Sequence, residues 1–204
     1  MLKILGRKTS SNVQKVLWCC GEIGLAFERT DVGGPFGGNK APQYLAINPN
    51  GLVPVIDDEG FLLWESNAIV RYLAAKHSMG SLCPADLRRR ADADRWMDWQ
   101  QTMLAVPMGI LFRALLRSPP DRIEPAEIDN ARRRAASALT ILNAQVGRAR
   151  YVAGGDLTMA DIALGFVPHR WFLLPIEQPK LSELERWYGE LCQRPAYKEH
   201  VVGA

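Results

Sequence analysis

The chain has 204 residues, enough to bury one large core or two small ones, and its 48% hydrophobic and 23% charged content is that of an ordinary soluble globular protein. A net charge of +3 is too small to argue for a nucleic-acid partner, and the one basic run, Arg88-Arg89-Arg90, is followed at once by Asp92 and Asp94. No apolar run is long enough to span a bilayer, and the opening MLKILGRK lacks a signal-peptide core.

Cys19 and Cys20 are sequence neighbours, which rarely bridge, and with Cys83 and Cys192 they form no C-x-x-C pair. Histidines 77, 169 and 200 are scattered, so a metal site has no support. Reduced thiols in the cytoplasm are the simplest expectation.

Leu2 to Leu5 reads as a short apolar strand ending at Gly6. The polar loop 7–12 then feeds a helix with Val13, Val16, Leu17 and Cys20 inward, closing near Gly21 or Gly24. Ala26 to Val32 reads as a second strand, 33–39 as a glycine-dense loop, and Pro42 to Ile47 as a short helix. Next comes an extended run, Leu52 to Ile56, the acidic turn Asp57-Asp58-Glu59-Gly60, a second run from Phe61 to Trp64, and Glu65-Ser66-Asn67 opening a helix. The order is β-α-β-α-β-β-α.

Ser78 to Pro84 is a linker of small residues, and beyond it strand signals largely stop. Leu87 to Leu116 is a long helical pattern with Trp96, Trp99, Met103, Val106 and Ile110 on one stripe, kinked at Pro107 and broken by Ser118-Pro119-Pro120. Pro125 starts the next helix, with Ile128, Ala131, Ala135, Leu139, Leu142 and Val146 inward. Thr158 and Asp161 form a capping box in aspartate form, a folding device rather than a chemical one. The expected division is 1–79 for an α+β domain and 80–204 for an all-helical one.

Pro54 is the odd residue of the hairpin, because proline has no N–H for a strand ladder. A cis Val53–Pro54 bond would turn the N–H and C=O of Val53 outward, toward a ligand backbone. Ser66 stands where a helix start can be capped and an anion held. An outward peptide edge beside an anion pocket fits a small peptide carrying carboxylates.

VPVI, an acidic hairpin and Glu-Ser opening a helix resemble the glutathione site of the cytosolic glutathione S-transferases, in particular the bacterial Ser/Asn-type members near the theta, beta and nu classes. The resemblance covers essentially the whole chain, through the Thr158–Asp161 cap and the closing segment Arg194-Pro195-Ala196-Tyr197. It implies a thioredoxin-like domain followed by an all-helical one, a homodimer, glutathione as co-substrate and no metal. The catalytic position falls at Ser10; Asn12 and Ser11 come next in rank, then Thr9. Asn12 stands where some bacterial relatives use an asparagine against the thiol. Val53 with Pro54 would hold the cysteinyl unit, and Glu65 and Ser66 the γ-glutamyl end. Asn39, Lys40 and Asn50 are candidates for the glycyl carboxylate. Many relatives carry Gln or Lys just before the valine; here stands Leu52, which leaves that end open.

A small hydrophobic electrophile would lie between this loop and Met103, Pro107, Leu111 and Phe112, with Trp171 and Phe172 beside it. The expected function is thiol activation for attack on such an electrophile. Alternatives are glutathione-dependent disulfide or peroxide reduction, maleylacetoacetate isomerisation, and a non-catalytic binding module. The loop carries neither a tyrosine nor a cysteine, which argues against a tyrosine-type enzyme and against a protein mixed disulfide.

Overall fold

The computed structural model describes residues 1–117, 120 and 122–203. Of the expected helix break at Ser118-Pro119-Pro120, the first two residues lie outside the described residues. The chain divides into two compact units, one holding Met1–Cys83 and the residues from Arg194 onward, the other Pro84–Gln193.

The first unit is a four-stranded sheet in the order β2-β1-β3-β4, with β1 (Leu2–Leu5), β2 (Phe27–Thr30), β3 (Val55–Asp58) and β4 (Phe61–Trp64). β1 runs parallel to β2 and antiparallel to β3, with Leu2 opposite Phe27 and Ile4 opposite Ile56. β3 and β4 form a hairpin closed by Glu59 (φ 56°) and Gly60 (φ 92°). Two successive left-handed residues match the twist of the paired strands. Asp57 and Asp58 therefore belong to the strand rather than to the turn. β3 starts three residues later than the apolar run suggests, because the Leu52 carbonyl is taken by side chains instead of a strand partner.

Helix α1 (Ser11–Ile23) is buried through eight successive residues, Val13 to Cys20. It packs on α3 (Ser66–His77) and on the returning tail, α10 (Pro195–Tyr197) with the wide turn Lys198–Val202. Gly24 ends α1 in the left-handed conformation, its N–H bonded back into the last turn. Gly21 sits inside the helix for a different reason. A Cβ there would lie 2.8 Å from Ala196 Cβ, so glycine lets the tail approach. Trp18 stacks edge-on to Tyr197, with ring centres 4.8 Å apart, and Glu22 binds Arg194 Nε at 2.7 Å. These contacts explain why residues from 194 onward join the first unit, whereas the linear reading assigns everything after residue 79 to the helical domain.

The second unit is all helical: α4 (Leu87–Trp99), α5 (Ala105–Leu111), α6 (Pro125–Val146), α7 (Met159–Leu164), α8 (Phe166–Phe172) and α9 (Ser182–Leu191). Wide π-type turns at Gln100–Leu104 and Phe112–Leu116 flank α5, one on either side of Pro107. Pro107 itself has no N–H to return to the carbonyl one turn back. Of the expected stripe, Trp96 and Ile110 are buried and Trp99 is half-buried, while Met103 and Val106 are exposed; the buried positions also include Ala93, Met97, Gln100, Leu104, Met108 and Leu111. The expected stripe thus leaves the inner face in its middle, at Met103 and Val106, where the buried positions are instead the polar Gln100 and the apolar Leu104. α6 buries Ala131, Ala135, Leu139, Leu142 and Val146 as patterned, with Ile128 half-buried.

Asp161 is fully buried at the head of α7. Its Oδ2 accepts from Thr158 N at 2.9 Å, closing the capping box, and its Oδ1 accepts from Val152 N at 2.9 Å and Trp187 Nε1 at 3.2 Å. α6 and α9 cap each other. Asn143 Oδ1 accepts from the N–H groups of Glu183 and Leu184, and Arg186 donates to the carbonyls of Val146 and Ala149.

All four cysteines are free thiols; Cys19, Cys20 and Cys83 are buried and Cys192 is half-buried. Among the described residues no three His, Cys, Asp or Glu side chains gather as a metal site, and no helix is long and apolar enough to cross a membrane.

Candidate active site

The first unit brings Asn12, Val53, Pro54, Glu65 and Ser66 to one small groove, lined also by Asn48, Asn50 and Leu52. The sheet explains the convergence. β1 and β3 are antiparallel neighbours, with Leu5 opposite Val55, so the loop after β1 and the segment before β3 meet at the same end of the sheet, and α3 begins directly after β4.

Val53–Pro54 is a cis bond, as the hairpin's proline suggests. The segment ahead of it is clamped from α2 (Pro42–Ile47): the Leu52 carbonyl accepts from the Tyr44 hydroxyl at 2.6 Å and from Asn48 Nδ2 at 2.8 Å. Burial pushes the Tyr44 phenol up to about 12, which keeps it a donor at neutral pH. Val53 itself makes no main-chain hydrogen bond among the described residues. In an interior where backbone groups are almost always paired, such an edge is available to another backbone.

Two helices open onto this region. α1 begins after Ser10, which sits in the N-cap position (φ −82°, ψ 123°) without a side-chain cap bond. The Ser10 hydroxyl is therefore not used as a cap, contrary to the ordinary role of serine there. Asn12, one residue into the helix, is exposed, and its Oδ1 accepts from Ser66 Oγ at 3.2 Å across 54 residues of sequence. That bond fixes the amide so that its Nδ2–H groups are the free donors. α3 opens at Ser66 with Glu65 in the N-cap position, again without a side-chain cap. Ser66 thus does not cap α3, because its hydroxyl is given to Asn12. Glu65 has φ 72°, a conformation that costs a residue with a side chain about 1–3 kcal/mol and clusters at functional sites. Its carboxylate is exposed. First-turn N–H groups of both helices remain as anion donors.

The other expected site residues are placed differently. Ser11 is the first residue of α1, half-buried beside Ser10, and neither serine lines the groove. Asn39 Nδ2 donates to the Gly51 carbonyl at 2.8 Å and Lys40 Nζ to the Asn50 carbonyl at 3.3 Å, so both buttress the 50–52 turn from outside the groove. That turn needs a glycine: Gly51 has φ 59°, and a Cβ would meet Asn39 O at 2.8 Å. Asn50 does line the groove, with its Nδ2 donating to Asn48 Oδ1 at 3.2 Å. In the second unit Leu111 and Trp171 are fully buried and serve the core, Pro107 is buried, Met103 is exposed, and Phe112 and Phe172 are half-buried.

Sequence reasoning misses four residues that shape the site. Tyr44 and Asn48 hold Leu52; the Asn-Pro-Asn-Gly run at 48–51 is the turn signal that points to Asn48. Lys15 is 1% exposed and donates to Asn67 Oδ1 at 3.1 Å, a buried rung between α1 and α3 just inside the Asn12–Ser66 bond. A lysine amid inward apolar positions was the signal. Burial raises the thiols of Cys19 and Cys20, the latter to about 12, so neither is a thiolate nucleophile at neutral pH.

Comparison with known proteins agrees with this geometry. The family model described as "Glutathione S-transferase, N-terminal domain" matches residues 9–76, and "Glutathione S-transferase, C-terminal domain" matches residues 125–190. The glutathione S-transferase GstB of Escherichia coli is 37% identical over 99% of this chain and 98% of its own. Glutathione S-transferase F10 of Arabidopsis thaliana is 31% identical over 87% of this chain and 86% of its own. The theta class glutathione S-transferase of Xanthomonas axonopodis pv. citri, solved with glutathione bound, superposes with a TM-score of 0.94 at 44% identity, covering 100% of this chain and 98% of that one. The thioredoxin-like sheet, the helical second unit and these matches lead to one conclusion: the chain belongs to the glutathione S-transferase family and is an enzyme of the transferase class.

Proposed function

We propose that the groove binds glutathione along Val53 and that the mouth of α1 activates its thiol for attack on a small hydrophobic electrophile. The observation that carries this reading is the unpaired main chain of Val53 lying beside two helix openings without side-chain caps. The cysteinyl unit pairs main chain to main chain with Val53. The γ-glutamyl ammonium meets Glu65, and its carboxylate meets Ser66 and the first turn of α3. The glycyl carboxylate was expected at Asn39, Lys40 or Asn50; of these only Asn50 lines the groove.

A free thiol has a pKa of about 8.5, and lowering it by two units takes about 2.7 kcal/mol of preferential anion stabilisation. The uncapped start of α1 and one hydroxyl donor supply energy of that order. Ser10 stands first as that donor, since its hydroxyl caps nothing, and Asn12 second, since its Nδ2 is left free by Ser66. The sulfur lone pair forms the new bond to carbon and the leaving group departs with the displaced pair. The protein contributes position and electrostatics.

The test is retention on immobilised glutathione and then thioether formation with a chloronitroaromatic. Retention without turnover would favour a binding module, and turnover confined to disulfides or peroxides would favour a reductase. We also place the chain in the cytoplasm as a homodimer, supported by its free thiols and by the exposed Leu87, Met103 and Val106 beside a charged helix face. Light scattering at micromolar concentration should give twice the chain mass; the mass of one chain would end the dimer proposal.

A further inference from the structure

The loop between β1 and α1 carries two cations, Arg7 and Lys8, and no acid. Lys8 is exposed, whereas Arg7 is half-buried. The Arg7 side chain lies on the bare backbone of Gly33 and Gly34. A Cβ on Gly34 would stand 2.8 Å from Arg7 Nε, and a Cβ on Gly33 would stand 3.2 Å from Arg7 Nη1 and 3.4 Å from Val53 Cγ1. Both glycines are left-handed, with φ 82° and 59°. Two missing side chains thus let the guanidinium come close to Val53. The main chain of Arg7 is tied to the thiol side as well, since Ser10 N–H donates to its carbonyl at 3.2 Å.

A guanidinium has five N–H donors, yet among the described residues the Arg7 side chain makes no hydrogen bond and no ion pair. The neighbouring charges are engaged elsewhere. Arg29 donates to the Gly6 carbonyl at 3.0 Å and pairs with Asp31. Lys40 Nζ lies against the Asn50–Gly51 turn, donating to the Asn50 carbonyl at 3.3 Å. A carboxylate at that end of the groove has a cation at hand without Arg7. Arg7 belongs instead to the loop that holds the sulfur donors, where a second substrate must approach.

We infer that Arg7 binds a carboxylate on the electrophile, so that the substrates favoured here are small electrophiles carrying an anionic group a few bonds from the attacked carbon. The inference rests on the transferase reading above and names the substrate class. The physical reason is charge. A thiolate that attacks a carboxylated electrophile brings two negative charges together, and their repulsion adds to the barrier. A guanidinium beside them offsets that repulsion and orients the carboxylate through two parallel N–H bonds. The bonds made and broken are those already given: sulfur bonds to carbon, the leaving group takes the displaced pair, and the carboxylate keeps its charge.

The test compares 4-chloro-3-nitrobenzoate with its neutral analogue 4-chloro-3-nitrobenzamide, each as kcat/KM divided by its uncatalysed rate constant with glutathione. The expected wild-type result favours the benzoate by about fivefold or more. Arg7→Gln should lower the benzoate's value by about fivefold or more relative to the amide's, and Arg7→Lys, which keeps the charge without the fork, should retain part of the preference. Turnover of the amide by wild type with no preference for the benzoate overturns the inference and leaves the transferase reading intact; so does a preference that survives Arg7→Gln. An Arg7→Gln loss equal for both electrophiles and accompanied by a higher KM for glutathione assigns Arg7 to the glycyl carboxylate, which also overturns it. Failure of wild type to retain glutathione or to conjugate any chloronitroaromatic overturns both readings.

Discussion

Ser10 and Asn12 offer a sulfur different things. The Ser10 hydroxyl is a donor at the end of the α1 dipole, while Asn12 is an amide held in one orientation by Ser66. A hydrogen bond to a charged acceptor contributes about 1.5–3 kcal/mol. Ser10→Ala should therefore raise the pKa of the bound thiol and cut turnover at neutral pH by about ten- to a hundredfold, with the loss recovering as pH rises. Ultraviolet titration of bound thiolate and a pH–rate profile measure this directly. Wild-type behaviour of Ser10→Ala with an inactive Asn12→Ala or Ser11→Ala would reverse the ranking. Ser66→Ala frees the Asn12 amide to rotate, and the expected signature is a higher KM for glutathione with little loss of folding stability. The sequence marks Val53–Pro54 and the helix start at Glu65–Ser66 because turn and helix-start signals are local, whereas the ligand roles proposed for them follow from the family resemblance. The part played by Tyr44 is not marked in this way, because its hydroxyl reaches Leu52 only once α2 has packed.

At the scale of elements, the cap of α7 shows how a local motif acquires tertiary partners. Thr158 and Asp161 are readable as a capping box, but the bonds from Val152 and Trp187 to Asp161 are not. Burial raises the Asp161 carboxyl to about 6, despite those donors. An unfolded chain releases this proton near pH ~3.9. Between those values the folded protein still holds a proton that the unfolded one has lost. The contribution of Asp161 is therefore greatest below pH ~4 and falls by about 3 kcal/mol as pH rises to ~6, then stays level. The unfolding free energy of wild type minus that of Asp161→Asn should show this decline. A flat difference across pH 4–6 would mean that the carboxyl is not raised. Asp161→Asn should itself cost about 2–4 kcal/mol at neutral pH, because its NH2 must face one of the buried donors. The start of α9 has no local cap; Asn143, 40 residues earlier, supplies it. Asn143→Ala should cost about 1–2 kcal/mol, read as a lowered denaturation midpoint with an unchanged slope.

For the whole molecule, the residues from Arg194 onward belong with the sheet they left at the linker. Tyr197 and Val201 are buried there, and Tyr197 closes over Trp18. A chain ending at Gln193 should lose about 3–5 kcal/mol from the first unit, with a red-shifted tryptophan emission as Trp18 meets water. Full-length stability in that truncation would contradict the packing described. The sequence by itself determined the order of elements, the hairpin and its proline, the opening of α3 at Ser66 and the Thr158–Asp161 cap. Each of these depends on residues within a few positions of one another. Only the tertiary structure decided which hydroxyl is left free at α1, that Ser66 serves Asn12 instead of its own helix, that Asn39 and Lys40 support a turn, and that the tail returns to the sheet. Those outcomes depend on side chains from distant segments competing for the same donors and acceptors, and only packing settles that competition.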